Sequence, residues 1–327
     1  MLTLRRGRVT AITERRRGLV RVEVDSRPCI GYPRLTGPVA LDDDVLVNTQ
    51  AVDLGLGSGG FDVLYANLTR GLGLAPDAGA HVMKLPYTPL QTAIVHAEEA
   101  GELPSSLTGL PVVCATLHSQ VAPICAAVGH GRRIAYVQLP GGALPVSLSD
   151  TLAILRRMGL VETAIAVGAC IEGDVACVTA AAALAFAARE GFDVAVCSIG
   201  PGIVGTGSSL GHGAVSVVEA LGVAASLGGT PILAPRVSLA DGRERHRPLS
   251  HHVQAVLTLC PPGVTVAWPA GLDEPDLAAD VATVDVGGWR EACAGLPLES
   301  MGRGPDDDPW FFAAAYAAGA LAATHLA

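Results

Sequence analysis

Residues 238–252, SLADGRERHRPLSHH, gather three arginines and three histidines into a short stretch of a chain that is otherwise apolar and acidic. Guanidinium groups bind carboxylates and phosphates through paired N–H donors, and imidazole moves protons near neutral pH because its pKa lies there. Asp241, His246, His251 and His252 also make up a set of ligand types that zinc or manganese accepts. Two features weigh against the metal. Ser250 is placed to cap the following helix, which puts His251 and His252 in its first turn, where the helix dipole disfavours added positive charge. Arg236, Arg243, Arg245 and Arg247 crowd the same region, and four guanidiniums beside a helix N-terminus favour an anion over a naked cation. The stretch is therefore expected to hold an anion and no metal, with Arg236, Arg243 and Arg245 as anchors and His246, His251 or His252 as the catalytic proton carrier.

A second stretch, GPGIVGTGSSLGHG at 200–213, matches G-x-G-x-x-G at Gly200, Gly202 and Gly205. A dinucleotide fingerprint needs the helix to open on the motif and an acidic residue to follow the next strand. Here the loop runs on through Thr206, Gly207, Ser208, Ser209 and Gly211 before a helix can start near Ala214, and the next strand ends in Arg236 and Ser238. Arg and Ser would suit a 2′-phosphate, but no nicotinamide or flavin cofactor is assigned, and the lysine of a Walker loop is missing. What remains is a run of backbone N–H donors and hydroxyls leading into a helix, suited to a phosphate, carboxylate or oxyanion at Gly200, Gly202, Gly205, Thr206, Gly207, Ser208 and Ser209. The competing explanation is that the glycines only allow close packing. Ser208 or Ser209 could be a nucleophile, although no G-x-S-x-G elbow is present. His212, Asp241 and Asp174, the last in CIEGD at 170–174, are further candidates.

The elements that must position these residues are legible as a pattern. From about Tyr87, apolar runs at 111–117, 133–139, 163–169, 192–199, 230–237 and 264–269 alternate with Ala-rich helical segments, including 175–191, 214–229 and 250–260. Unbroken apolar strands joined by helices predict a doubly wound parallel sheet with helices on both faces. Ligands of such sheets bind beyond the carboxyl ends of the strands, and the loops named above all fall on that edge. The two principal loops follow successive strands, which are expected to be neighbours, so the loops should face one another. Residues 1–70 show short alternating β-rich runs and predict a small antiparallel β-barrel-like domain; 71–86 is the expected linker and 87–327 the α/β domain.

Half of the 327 residues are apolar and only 16% are charged, so the chain can bury a large core. A net charge of −9 argues against nucleic acid and anionic membrane as partners, since counterion release needs a broad basic face. No charged segment followed by an apolar one opens the sequence, and the eight cysteines are scattered without C-x-x-C spacing, which suits a cytoplasmic protein with small buried thiols. The closing WFFAAAYAAGALAATHLA is rich in Ala and Gly, with Asp308 and Pro309 as N-cap and first-turn proline, and predicts a buried helix rather than a membrane anchor. Together GPGIVGTGSSLGHG, PRVSLADGRERHRPLSHH, GGALPVSLSD and MGRGPDDDPWFFAAAYAAGALA resemble a bacterial family of uncharacterised proteins, domain of unknown function 3866, over essentially the whole chain. That resemblance implies no activity. The residues themselves suggest an enzyme acting on a phosphorylated or carboxylated metabolite, or a non-catalytic metabolite-binding or regulatory protein that uses the same anion site; in either case a homo-oligomer is expected.

Overall fold

The computed structural model describes residues 2–56, 59–75 and 77–326. The chain forms two compact units, Met1–Val95 and His96–Ala327. The first is a closed barrel of β1 (Leu4–Arg16), β2 (Leu19–Val24), β3 (Arg27–Gly31), β4 (Asp44–Asn48) and β5 (Asp62–Asn67), in the order β1-β2-β3-β5-β4. Alternation builds it: Val20, Val22 and Val24, then Val45 and Val47, enter one core with Val9 and Leu64. The barrel is not wholly antiparallel as expected. β3 pairs with β5 in parallel, Cys29 opposite Asp62, because α1 (Pro33–Thr36), β4 and α2 (Gln50–Asp53) lie between them and form a connection longer than a hairpin. A two-stranded sheet of β6 (Val82–Lys84) and β7 (Thr92–Ile94) follows, starting inside the stretch read as a linker.

The second unit is built on a parallel sheet of β8 (Pro111–Ala115), β9 (Ile134–Leu139), β10 (Thr163–Val167), β11 (Val175–Cys177), β12 (Val194–Ile199), β13 (Thr230–Ala234), β14 (Thr265–Pro269) and β15 (Asp280–Val284). Its order is β11-β10-β9-β12-β8-β13-β14-β15. The helices are α3 (Val121–Val128), α4 (Asp150–Arg157), α5 (Ala180–Arg189), α6 (Val217–Ser226), α7 (His251–Leu259), α8 (Trp289–Ala292) and α9 (Pro309–Ala323). Residues of α3, α4, α8 and α9 pack into the core on one face, and those of α5, α6 and α7 into the core on the other. The central strands β8, β9 and β12 are buried at every position, which is why they read as continuous apolar runs. β11 and β15 lie outside the six strands that the pattern predicts, and β11 corrects the expectation of a helix from Val175; α5 starts only after Thr179, whose side chain accepts from Ala182 N–H.

The closing helix α9 is buried nearly all round and lies against α3 at backbone contact: a Cβ on Gly319 would fall 2.1 Å from the Ile124 carbonyl oxygen. Small residues are needed there, which accounts for the Ala and Gly composition. Among the described residues no helix is long and apolar enough to cross a membrane. Asp308 holds the N-cap position without a side-chain cap bond, and its Oδ2 accepts from the Ser238 hydroxyl.

For the site, the decisive feature is the place of β8. β12 and β13 follow one another in sequence but are not neighbours, since β8 lies between them. Their continuations run to α6 and α7 on one face, whereas the continuation of β8 runs to α3 on the other. In doubly wound sheets such opposite departures are where a crevice opens at the carboxyl edge.

A histidine and arginine cluster at the carboxyl edge

The loop after β12 folds back on itself as a hairpin. Gly205 bridges His212, Thr206 N–H donates to the Gly211 carbonyl at 2.7 Å, and the Thr206 and Ser208 hydroxyls lie 2.8 Å apart. Those two hydroxyls are thus taken up inside the exposed loop tip, and Ser208 contacts no base among the described residues. The glycines serve different ends. A Cβ on Gly200 would lie 2.1 Å from the Ala143 carbonyl oxygen, and one on Gly213 would lie 1.9 Å from that of Gly141, so both are required by backbone-to-backbone packing against the loop after β9. Gly205 similarly abuts His212, Gly202 supplies a positive φ of 71°, and Gly207 faces open space. The hairpin turns His212 inward, where its Nε2–H donates to the Ser209 carbonyl at 2.9 Å.

The loop after β13 brings the remaining histidines to the same place. Val237 bridges Leu249, and a short 3-10 turn at Glu244–His246 precedes Ser250, the N-cap of α7. The Ser250 Oγ accepts from His252 N–H and lies 2.7 Å from His246 Nδ1. His212 stacks on His252 with ring centroids 3.9 Å apart, and His251 lies 4.5 Å from His252 and 4.9 Å from His246. The two loops therefore meet, although the strands that carry them are not adjacent.

Asp241 organises the cations. It is buried and accepts from Arg236 Nη2 at 3.1 Å, from Arg243 Nε, Nη2 and backbone N–H, and from Arg303 Nη2 at 3.3 Å. Although burial opposes its charge, the Arg243 hydrogen bonds and the surrounding guanidiniums hold its carboxyl well below the usual range. Asp308 takes Arg303 Nε and the Ser238 hydroxyl, the latter at 2.6 Å. Arg236 also donates from Nη1 to His252 Nδ1 at 3.3 Å, so that nitrogen is an acceptor and the neutral ring carries its proton on Nε2. Burial first, then the arginine charges, pushes His246 down to about 3; burial and neighbouring His212 push His252 down to about 2. Burial also lowers His212 and His251.

Arg236 and Arg243 are thus already paired, while Arg245 and Arg247 are exposed. Asp174 lies away from this cluster. After Cys170 the chain runs back toward the amino end of β11, where Asp174 pairs with Arg156 at 2.7 Å and accepts from Ala164 N–H. Arg303 and Asp308 join the cluster unforeseen. A further polar network sits at the ends of β8 and β9, with His118 Nε2 at 2.6 Å from the Ser149 hydroxyl, His118 Nδ1 at 3.2 Å from the Tyr136 hydroxyl, and that hydroxyl at 3.2 Å from Gln138 Oε1. Two of its members, His118 in HSQ and Ser149 in PGGALPVSLSD, stand in loops that the sequence pattern puts on the carboxyl edge, whereas Tyr136 and Gln138 lie inside the apolar run IAYVQL.

These features define a two-unit α/β protein, a closed barrel followed by a doubly wound parallel sheet, whose titratable side chains collect where such sheets hold small ligands. The family model described as a protein of unknown function, DUF3866, matches residues 28–319, and the chain belongs to that family. Among the curated proteins and the solved structures, none matches it.

Proposed function

We propose that the carboxyl edge of the second unit binds an anionic small molecule, phosphorylated or carboxylated, and that the protein acts on it as an enzyme, with the histidine cluster handling a proton. The observation that carries this is the stacking of His212 on His252 beside Arg236, which gathers imidazoles from the loops after β12 and β13. Charge supports it: among the described residues Arg236, Arg243 and Arg303 pair with Asp241 and Asp308, three guanidiniums to two carboxylates, and Arg245 lies exposed on the same loop. His252, protonated on Nε2, is a donor for an anion oxygen. Binding without chemistry is the second reading, favoured by the low basicity of His246 and His252, which lie well away from the near-neutral pKa of an efficient general base.

The test begins with mass spectrometry of small molecules that co-purify with the native protein. In parallel, inorganic phosphate and citrate are titrated against chelator-treated protein by thermal shift. Arg245→Ala should weaken the stabilising anion about three- to tenfold, less than a buried charged hydrogen bond because the side chain is exposed. With the ligand identified, single alanine substitutions of His246, His251 and His252 that abolish turnover while binding persists would mark an enzyme; loss of affinity alone would mark a binder. If neither anion stabilises the protein and nothing anionic co-purifies, the assignment fails.

A further inference from the structure

We infer that His212, His251 and His252 bind one divalent cation of the zinc type where the two loops meet. Each ring offers one nitrogen, and the three lie within 4.8 Å of one another. His212 Nδ1 and His251 Nε2 are buried and have no hydrogen-bond partner among the described residues. A buried imidazole lone pair without a donor is unfavourable, and a cation is the partner that would satisfy two or three of them at once. His212 is also preset for ligation. Its Nε2–H is fixed on the Ser209 carbonyl, the backing that metal-bound histidines use to orient the other nitrogen.

His252 is the conditional ligand. Its Nδ1 lone pair accepts from Arg236 Nη1, and the ring must exchange that guanidinium for the cation. Arg236 can release it without losing its ion pair, because Nη2 stays on Asp241. The electrostatic objection raised by the sequence is weaker than it looked, since Asp241 pairs Arg236 and Arg243 and Asp308 pairs Arg303. An all-imidazole set selects zinc or cobalt(II) over magnesium or calcium, which require oxygen donors. Three protein ligands leave a further position for water or a ligand oxygen, the arrangement of a Lewis-acid centre. Cation binding does not rest on the proposed anion: cobalt alone tests the one, and phosphate on chelator-treated protein tests the other.

The experiment adds Co²⁺ to tag-free, chelator-treated protein and follows the visible d–d bands, with Zn²⁺ as competitor. One equivalent should bind with a low-coordinate spectrum that zinc displaces. His212→Ala and His251→Gln should each weaken it by at least about a hundredfold, the upper range for losing even an outer-shell partner. His130→Ala, on the exposed surface, should leave it unchanged. Circular dichroism of each variant separates loss of a ligand from loss of fold, and the half-buried His251 is the more permissive position. Absence of saturable binding by the folded wild type, or binding that persists in both cluster variants, or that is lost in His130→Ala, would overturn the inference.

Discussion

Asp241 is the residue on which the arginines of the carboxyl edge converge, so Asp241→Asn should be among the most damaging single changes. It leaves Arg236 buried beside other guanidiniums with its carboxylate gone, and removing one partner of a buried pair typically costs about 3–5 kcal/mol. Denaturant titration measures this, and a midpoint unchanged from wild type would contradict it. His118 makes a pH prediction. Burial lowers its pKa from 6.5 to about 4, so below 6.5 the unfolded chain takes up a proton that folded His118 refuses. Its contribution is therefore complete above 6.5 and is lost as pH falls toward 4, about 3 kcal/mol in all. His118→Gln should reduce the slope of the stability profile across that window, leaving the part contributed by the lowered histidines of the cluster. The sequence made the types of the cluster legible, since Arg236, Asp241 and the histidines are close along the chain. It could not show that Arg303 and Asp308 close the same network, because only the tertiary fold brings them to Ser238 and Asp241. It placed Asp308 at the N-cap of the closing helix, where it lies, but not the bonds of its carboxylate to Ser238 and Arg303.

At the scale of elements, the hairpin after β12 is held by glycines that tolerate no side chain. Gly213→Ala would place a methyl 1.9 Å from the Gly141 carbonyl oxygen and must part the loops after β9 and β12, a loss of about 1–3 kcal/mol typical of overpacking. Gly207→Ala, facing open space at the tip of the same hairpin, should change stability by less than about 0.5 kcal/mol. Melting temperatures of the two variants check the contrast, and equal effects would count against the packing account. The six strands legible in the sequence, β8, β9, β10, β12, β13 and β14, are those covered by helices on both faces. The two that were missed lie at the sheet edges: β11 is three residues that run straight into the α5 cap, and β15, DVATV, mixes exposed polar positions with half-buried ones. Strand order was not legible at all, because nothing local in β12 or β13 signals that β8 enters between them.

For the whole molecule, the cysteines report on the two units separately. None of the eight cysteines forms a disulfide; Cys29 belongs to the barrel and the other seven to the second unit. Burial pushes Cys29, Cys125 and Cys293 up to about 12, and Cys260, the least enclosed, to about 11. A thiol reagent on native protein should therefore modify Cys260 first, and mass analysis during mild denaturation should resolve release of one thiol from release of the rest. Early labelling of Cys114 or Cys197 under native conditions would contradict the burial seen at the centre of the sheet. The central place of β8 has a further consequence during synthesis. β8 leaves the ribosome first among the strands of its sheet, yet both of its eventual partners, β12 and β13, are encoded far downstream, the second more than a hundred residues later. At ordinary elongation rates an apolar strand with two bare edges waits on the order of ten seconds for its neighbours. In that interval the nascent chain is a template for any other extended segment, which makes it a strong candidate for chaperone capture and for aggregation when overproduced.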